Sequence, residues 1–163
     1  MKILVMSDSH GRRDLVKKII QKHEDTAMVL HLGDVLEDIS DMPPLFPDRK
    51  FVWVRGNCDV YRDDPLQTCV TVDGVTLFMA HGHSFAVHYG LTALTQEALR
   101  RGAQICLYGH THVPCNRYQN GLYIMNPGSL SRPRDSSRAG YGLIEICPEG
   151  IMTSLVTLDG RVF

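Results

Sequence analysis

Short apolar runs that end in polar residues recur along the first third of the chain. Residues 3–6 are continuously apolar, as expected of a central strand buried on both faces. Residues 12–23 then carry apolar side chains at helical spacing, and residues 26–32 and 50–55 are two further apolar runs. This order of strand, helix, strand, loop and strand predicts a parallel or mixed sheet with crossover helices.

After Asp64-Pro65 the pattern changes from crossovers to hairpins. Asp-Gly and Asn-Gly turns are the pairs that best match the twist of a two-residue hairpin. A second helix is predicted over residues 89–101, ended by Gly102 in a left-handed cap, and a strand over residues 104–108. The predicted hairpins are 68–72 with 75–80 around Asp73-Gly74, 117–119 with 122–125 around Asn120-Gly121, and 141–147 with 151–158 around Pro148-Glu149-Gly150.

No repeat, low-complexity tract or linker divides the sequence, so residues 1–163 are interpreted as one domain. The two groups of strands predict two sheets packed face to face with helices outside, an α/β architecture.

Charge, cysteine content and hydropathy argue against a nucleic-acid-binding, secreted or membrane-spanning protein. Lys and Arg number 17 against 18 Asp and Glu, so no basic excess favours nucleic acid. The five cysteines form no Cys-x-x-Cys pair, which is typical of reduced thiols. The apolar start is too short for a signal-peptide core, and no stretch is long enough to span a bilayer. We therefore expect a cytoplasmic protein without a membrane partner.

Polar residues that can bind metal follow five of the predicted strands. Carboxylate, imidazole and amide oxygen together suit Mn, Fe, Zn or Co better than Mg. Seven such groups are too many for one ion, but two ions about 3.5–4 Å apart, bridged by one carboxylate, would use them all. The five motifs are Asp8-Ser9-His10, Gly33-Asp34, Gly56-Asn57-Cys58-Asp59, His81-Gly82-His83 and Gly109-His110-Thr111-His112.

This ordered set of motifs resembles the calcineurin-like metallophosphoesterase superfamily. Cys58-Asp59, the short chain and residues 126–129 are similar to its small YfcE-type phosphodiesterase branch. The resemblance implies a four-layer αββα sandwich of two mostly mixed β-sheets flanked by helices. It also implies a first metal at Asp8, His10 and His112, a second at Asn57, His81 and His110, and Asp34 as the bridge.

The resemblance also implies a reaction. The expected activity is phosphodiester hydrolysis by a water shared between two divalent metals, with Asp34, Asn57 and His81 at the reacting centre. Manganese is the expected metal, with Ni, Co, Fe or Zn as alternatives, and the substrate is a small phosphodiester. The organic part of that substrate cannot be identified, because the loops that would recognise it carry no motif.

Further residues near the motifs are candidates for supporting the metal ligands or contacting the substrate. Cys58 stands where many members of the superfamily carry a histidine, and we interpret it as a small core residue, not as a proton donor. His83 is either a supporting or a merely structural residue, and Arg132 and Arg134 either bind phosphate or belong to a solvated loop. The other candidates for support or substrate contact are Asp59, Asn126 and Ser129, whereas His23, His31 and His88 are expected on the surface or on helix faces.

Two other functions use the same fold. A retromer scaffold subunit resembles these enzymes but has lost one ligand histidine, whereas all seven positions here are competent ligands. Nucleases share the motif set, yet they carry further domains and a histidine in place of Cys58. Self-association through hairpin edges or the apolar Leu45-Phe46 loop stays open.

Overall fold

The computed structural model describes residues 1–162, and Phe163, the last residue of the predicted domain, lies outside the described residues. Within the described residues, ten strands form two sheets of five, and three short α-helices accompany them. The strands are β1 Lys2–Met6, β2 Met28–His31, β3 Lys50–Trp53, β4 Gln67–Val72, β5 Val75–Ala80, β6 Ile105–Leu107, β7 Cys115–Gln119, β8 Leu122–Asn126, β9 Gly140–Cys147 and β10 Gly150–Thr157; the helices are α1 Arg13–Lys22, α2 Glu37–Ser40 and α3 Thr92–Arg100.

The first sheet has the order β10-β9-β1-β2-β3 and is mixed. Strands β1, β2 and β3 run parallel, whereas β9 is antiparallel to both β1 and β10. Because β1 and β2 lie in the interior of the sheet with both faces covered, their residues are almost all buried. The parallel strands end at the same edge of this sheet.

The second sheet has the order β4-β5-β6-β8-β7. Strands β5, β6 and β8 run parallel, and the predicted hairpins add β4 and β7 as antiparallel edges. Both hairpin turns have positive φ at both residues, 49° and 79° at Asp73-Gly74 and 53° and 79° at Asn120-Gly121. The two predictions of turn type are confirmed.

The sheets pack face to face around a core that includes Val5 and Leu30 from one sheet and Leu77 and Met125 from the other. Helices α1 and α2 cover the outer face of the first sheet, and α3 covers the second. The four-layer αββα sandwich is therefore confirmed. Within residues 1–162, no helix combines the length and the apolarity needed to cross a bilayer.

Some predicted boundaries were wrong. Helix α3 begins at Thr92, three residues later than predicted, because Gly90 has a φ of 144° that no helix accommodates. Strand β2 covers four residues, Met28–His31, instead of seven. Cys147 pairs with Gly150, so the last hairpin turns through Pro148-Glu149 alone.

Candidate metal centre

The seven predicted metal ligands lie in loops that follow strands of both sheets. Asp8, His10, Asp34 and Asn57 follow strands of the first sheet, and His81, His110 and His112 follow strands of the second. Backbone hydrogen bonds tie neighbouring loops together within each sheet: the Asp8 N–H donates to the Gly33 carbonyl and the Gly109 N–H to the His81 carbonyl, each at 3.0 Å. The backbone N–H of His110 donates to Asp8 Oδ2 at 3.1 Å and so connects the two sheets.

Asp8 lies at the centre of three imidazoles. Its Oδ1 is 3.1 Å from His112 Nε2 and 4.0 Å from both His10 Nε2 and His81 Nε2. The Nε2 atoms of His10 and His112 are 3.3 Å apart. One ligand atom from each of Asp8, His10, Asp34 and His112 lies within 4.8 Å of the others, a spacing that one cation could bridge.

Asp34 lies between the two groups of histidines. Its Oδ1 is 3.4 Å from His81 Nε2, and its Oδ2 is 3.8 Å from His10 Nε2. The His110 ring lies 5.1 Å from the ring of His81. Asn57 is exposed at the same cleft, with its amide nitrogen 3.7 Å from Cys58 Sγ. The structure therefore brings all seven residues to one place, with Asp34 where a bridging carboxylate is expected.

Two buried polar atoms in this group lack a hydrogen-bond partner among the described residues. They are Asp8 Oδ1 and His81 Nε2, and both side chains are fully buried. An unpaired carboxylate oxygen and an unpaired imidazole nitrogen are costly in the interior unless something else binds them. Both are competent ligands for a divalent transition metal, so the residues present fit a bound cation.

The protonation states of both carboxyls and of two imidazoles suit metal binding, whereas burial of His81 is outweighed by Asp34 and Asp8, which raise its pKa, and the contact with Asp8 raises the pKa of His112. Burial opposes the ionised form of Asp8 and Asp34, but the nearby imidazoles more than compensate and lower the pKa of both carboxyls. Burial lowers the pKa of His10, and it lowers that of His110 to about 4. Ionised carboxylates and neutral imidazoles are the forms that coordinate metal.

Hydrogen bonds to backbone carbonyls fix the orientation of two rings. His81 Nδ1–H donates to the Leu32 carbonyl, and His112 Nδ1–H donates to the Arg132 carbonyl, both at 2.7 Å. Each bond leaves Nε2 facing Asp8, as in metal-binding histidines whose other nitrogen is held by the protein.

The backbone is strained at five of the seven residues. Positive φ values occur at Asp8 (53°), His10 (43°), Asp34 (65°), His110 (67°) and His112 (60°). Residues other than glycine rarely adopt this left-handed region, and such strain concentrates at functional sites. These turns direct carboxylate and imidazole side chains from three loops towards one point.

Two glycines are required by close approach. A Cβ at Gly56 would lie 2.1 Å from Asp34 Oδ1, and a Cβ at Gly109 would lie 2.0 Å from Ser7 Oγ. Any side chain at either position would displace a loop that carries candidate ligands.

Asp59 supports the loop of Asp34. Its buried carboxylate accepts hydrogen bonds from the backbone N–H groups of Asp34 (2.9 Å), Leu36 (2.9 Å) and Gly56 (2.7 Å). Because these three donors belong to the loops after β2 and β3, Asp59 holds the two loops together.

Asn126 and Ser129 support the other loops. The Asn126 side-chain amide donates to the Gly109 carbonyl at 2.9 Å, and Ser129 Oγ donates to the Asp8 carbonyl at 2.7 Å. Both side chains are fully buried and are absent from the cleft wall. Their contacts are with the loops, so the structure favours support over substrate contact for these two residues.

An open cleft of about 480 Å³ lies over the centre. Cys58 lies on its wall and is exposed, so the prediction of a small core residue was wrong. The reason is that the turn after β3 points this side chain outwards, where its thiol donates to Asp34 Oδ2 at 3.3 Å. Partial desolvation and the Asp34 carboxylate raise the pKa of the thiol to about 11. Arg132 and Arg134 also line the cleft.

Three histidines outside the predicted ligand set differ in burial and in their position relative to the cleft. His31 is wholly buried, which overturns its prediction as a surface or helix-face residue, because β2 lies between two strands with both faces covered. His88 is exposed as predicted, but its ring lines the cleft 4.6 Å from that of His110. His83 is half-buried, 5.4 Å from the His81 ring, and does not line the cleft. Sequence spacing gave no signal for His88, which lies seven residues beyond His81.

Two mixed sheets packed face to face, with carboxylates and imidazoles converging at their strand ends, define the class of the metallophosphoesterases. A family model described as the calcineurin-like phosphoesterase superfamily domain matches residues 1–149. The chain belongs to this family.

Relatives and solved structures agree with that family. The chain is 29% identical to phosphodiesterase YfcE of Escherichia coli K12 over 169 aligned positions, covering 89% of this chain and 88% of that protein. A predicted phosphoesterase of Streptococcus pneumoniae has a similar structure, with a TM-score of 0.86, 30% identity, and coverage of 99% and 92%. Vacuolar protein sorting 29 of Cryptosporidium parvum is similar in fold alone, with a TM-score of 0.80, 18% identity, and coverage of 99% and 94%.

Proposed function

We propose that the whole chain is a single catalytic domain that hydrolyses small phosphodiesters with two divalent cations. Asp8, His10 and His112 would hold the first cation, Asn57, His81 and His110 would hold the second, and Asp34 would serve both. The observation that carries the proposal is the pair of buried atoms, Asp8 Oδ1 and His81 Nε2, which lie 4.0 Å apart and make no hydrogen bond within the described residues. Manganese is the proposed metal, since mixed nitrogen and oxygen ligands suit it, although Ni, Co, Fe and Zn suit the same donors.

The protein's own residues have separate tasks in this reaction. When bound, the two cations withdraw charge from a phosphoryl oxygen and make water more acidic. Asn57 can bind metal through its amide oxygen while its amide nitrogen donates to a phosphate oxygen. Arg132 and Arg134 line the cleft as permanent cations and would attract the anionic ester. Asp59 keeps the Asp34 loop in position through its three backbone hydrogen bonds.

Cys58 limits the choice of leaving group. Without bound cations the pKa of its thiol is raised to about 11, and beside two cations the thiol would tend to ionise, so in either state Cys58 is a poor proton donor and the leaving group departs without help from this position. We therefore expect aryl phosphodiesters to react faster than alkyl phosphate monoesters.

Metal analysis followed by an activity assay tests the proposal. The purified protein should bind about two metal ions per chain, as two-metal sites require. It should also hydrolyse bis(p-nitrophenyl) phosphate when manganese is added. Asp34→Asn should abolish turnover, whereas Asp63→Asn, a change at an exposed residue nearby, should leave it unaltered. Protein that binds no metal and hydrolyses no phosphodiester would contradict the proposal and favour a protein-binding scaffold.

The division of ligands between the two cations needs a separate test. His110→Ala and His112→Ala should each lower the bound metal count, because the two residues serve different cations. Loss at only one of the two positions would break this assignment. Activity on DNA comparable to that on the aryl diester would favour the nuclease alternative, which the net charge of −1 disfavours.

A further inference from the structure

The wall of the cleft contains four side chains with polar atoms besides the proposed metal ligands. They are Cys58, His88, Arg132 and Arg134. The thiol of Cys58 is directed to Asp34, and the two arginines belong to a single loop. His88 comes from the loop between β5 and α3, so it is the contribution of a different element to the same cleft.

His88 lies on a different side of the candidate metal centre from Arg132 and Arg134. The backbone of the arginine loop is bound to His112: the His112 Nδ1–H donates to the Arg132 carbonyl, and the Arg134 N–H donates to the His112 carbonyl at 3.2 Å. His88 instead packs its ring against His110, with the two planes inclined by 61°. His110 in turn is next to His81, so His88 belongs to the side of the proposed second cation.

The His88 ring is available to a ligand. Its side chain is exposed, and the part of the chain that the structure describes makes no hydrogen bond to its nitrogens. A left-handed Ala86 (φ 50°) ends the short 3₁₀ turn His83–Phe85 just before it and directs the chain over His110. An imidazole offers both a flat apolar face and a hydrogen-bonding edge, which suits contact with an aromatic or polar organic group.

The two proposed cations would serve both sides alike, so the side-chain charges determine which arm of a phosphodiester lies against which side. The departing oxygen gains negative charge as its bond to phosphorus breaks, so that arm is most stable beside permanent cations. Those cations are Arg132 and Arg134, since guanidinium groups stay charged at any ordinary pH. The arm that stays on phosphorus develops no such charge and is left for the opposite side, where His88 lies.

We propose that His88 contacts the retained organic arm of the phosphodiester and thereby determines selectivity for diesters over monoesters. The inference rests on the proposed phosphodiesterase function and adds a residue that the five motifs do not include. A monoester has no retained arm, so His88 has nothing to contact in that substrate.

Three substrates with the same leaving group, p-nitrophenolate, test this contact on the manganese-loaded full chain. Bis(p-nitrophenyl) phosphate retains an aryl arm, methyl p-nitrophenyl phosphate retains a methyl group, and p-nitrophenyl phosphate retains no arm. In His88→Ala, the ratio of kcat/KM for the bis-aryl diester to that for the monoester should fall roughly tenfold, mainly through KM. The ratio for the methyl ester should fall less. His88→Phe, which keeps a flat ring, should recover part of the loss for the bis-aryl diester alone.

Control measurements separate this contact from other effects. Tyr89→Ala changes the neighbouring, exposed side chain of the same loop and should leave both ratios unaltered. The metal count of His88→Ala should equal that of the wild type, and a lower count would overturn the proposal by showing that His88 acts through His110. Equal loss for all three substrates would overturn it as well. Failure of the wild-type protein to hydrolyse any of the three esters would overturn the proposed function together with this inference, whereas an active wild type with uniform losses overturns the inference alone.

Discussion

Substitution of Asp59 offers a graded test of how the candidate centre is held. Its two carboxylate oxygens share three backbone donors: Oδ2 accepts from Asp34 and Gly56, and Oδ1 accepts from Leu36. Asp59→Ala leaves all three N–H groups without that acceptor. A buried donor left unpaired costs about 1–3 kcal/mol, so the alanine variant should lose about 4 kcal/mol or more of unfolding free energy.

Asp59→Asn should lose much less. An amide oxygen in the position of Oδ2 keeps the bonds to Asp34 and Gly56, and only the donor of Leu36 then faces an amide nitrogen. The expected loss is about 1–2 kcal/mol. Urea unfolding of metal-free protein in the presence of a chelator measures both values without a contribution from bound metal. In thermal melts the alanine variant should melt about 10 °C below the wild type, at roughly 2–4 °C per kcal/mol.

Asp63 provides the matched control for this series. It is an exposed aspartate on the same loop, and Asp63→Ala should change stability by less than about 0.5 kcal/mol. The interpretation of Asp59 fails if its alanine variant unfolds within about 1 kcal/mol of the wild type, or if the alanine and asparagine variants lose the same amount.

The remaining predictions concern close packing, pH and the leaving group. Gly56→Ala should abolish phosphodiesterase activity, because its Cβ would lie 2.1 Å from Asp34 Oδ1; Gly74→Ala, where no atom lies within 4 Å, should cost stability through its positive φ but retain activity. Burial lowers the pKa of His31 to about 4, so below its unfolded value of about 6.5 only the unfolded chain gains the proton, and stability falls as pH drops from about 6.5 towards 4. In metal-free protein, the free energy of unfolding should fall with decreasing pH more steeply for the wild type than for His31→Gln. The difference should be about 1.4 kcal/mol per pH unit, which corresponds to one proton, and equal slopes would contradict this. Cys58→Ser should keep most of the activity on aryl phosphodiesters, and a large loss, or equal rates for aryl diesters and alkyl monoesters, would show that the thiol has a catalytic task.

The sequence predicted the sheets and the candidate ligands because both depend on local order along the chain. A ligand that directly follows a strand, such as Asp8 or His81, is placed by the end of that strand, and parallel strands bring such ends together. Hairpin turns were predictable for the same reason, since Asp73-Gly74 determines its own backbone conformation.

Other features depend on contacts between distant parts of the chain, and sequence could not predict them. His31 is polar, yet it is buried because β1 and β3 flank its strand. The residue type of Cys58 predicts a place in the core, but the turn after β3 directs its side chain into the cleft. His88 reaches the cleft only because a left-handed turn at Ala86 carries the loop over His110. In each case residue type was a poor guide because tertiary packing decided the position.

The strained backbone explains why support is concentrated around the candidate ligands. A residue other than glycine in the left-handed region costs of order 1 kcal/mol or more, and five of the seven candidates adopt it. Such conformations persist only where neighbouring contacts leave no alternative. Asp59 supplies three such contacts to the Asp34 and Gly56 loops, and Ser129 holds the carbonyl of Asp8. The buried polar residues around the centre therefore act on its geometry, and their loss should change metal affinity although they are not among the seven candidate ligands.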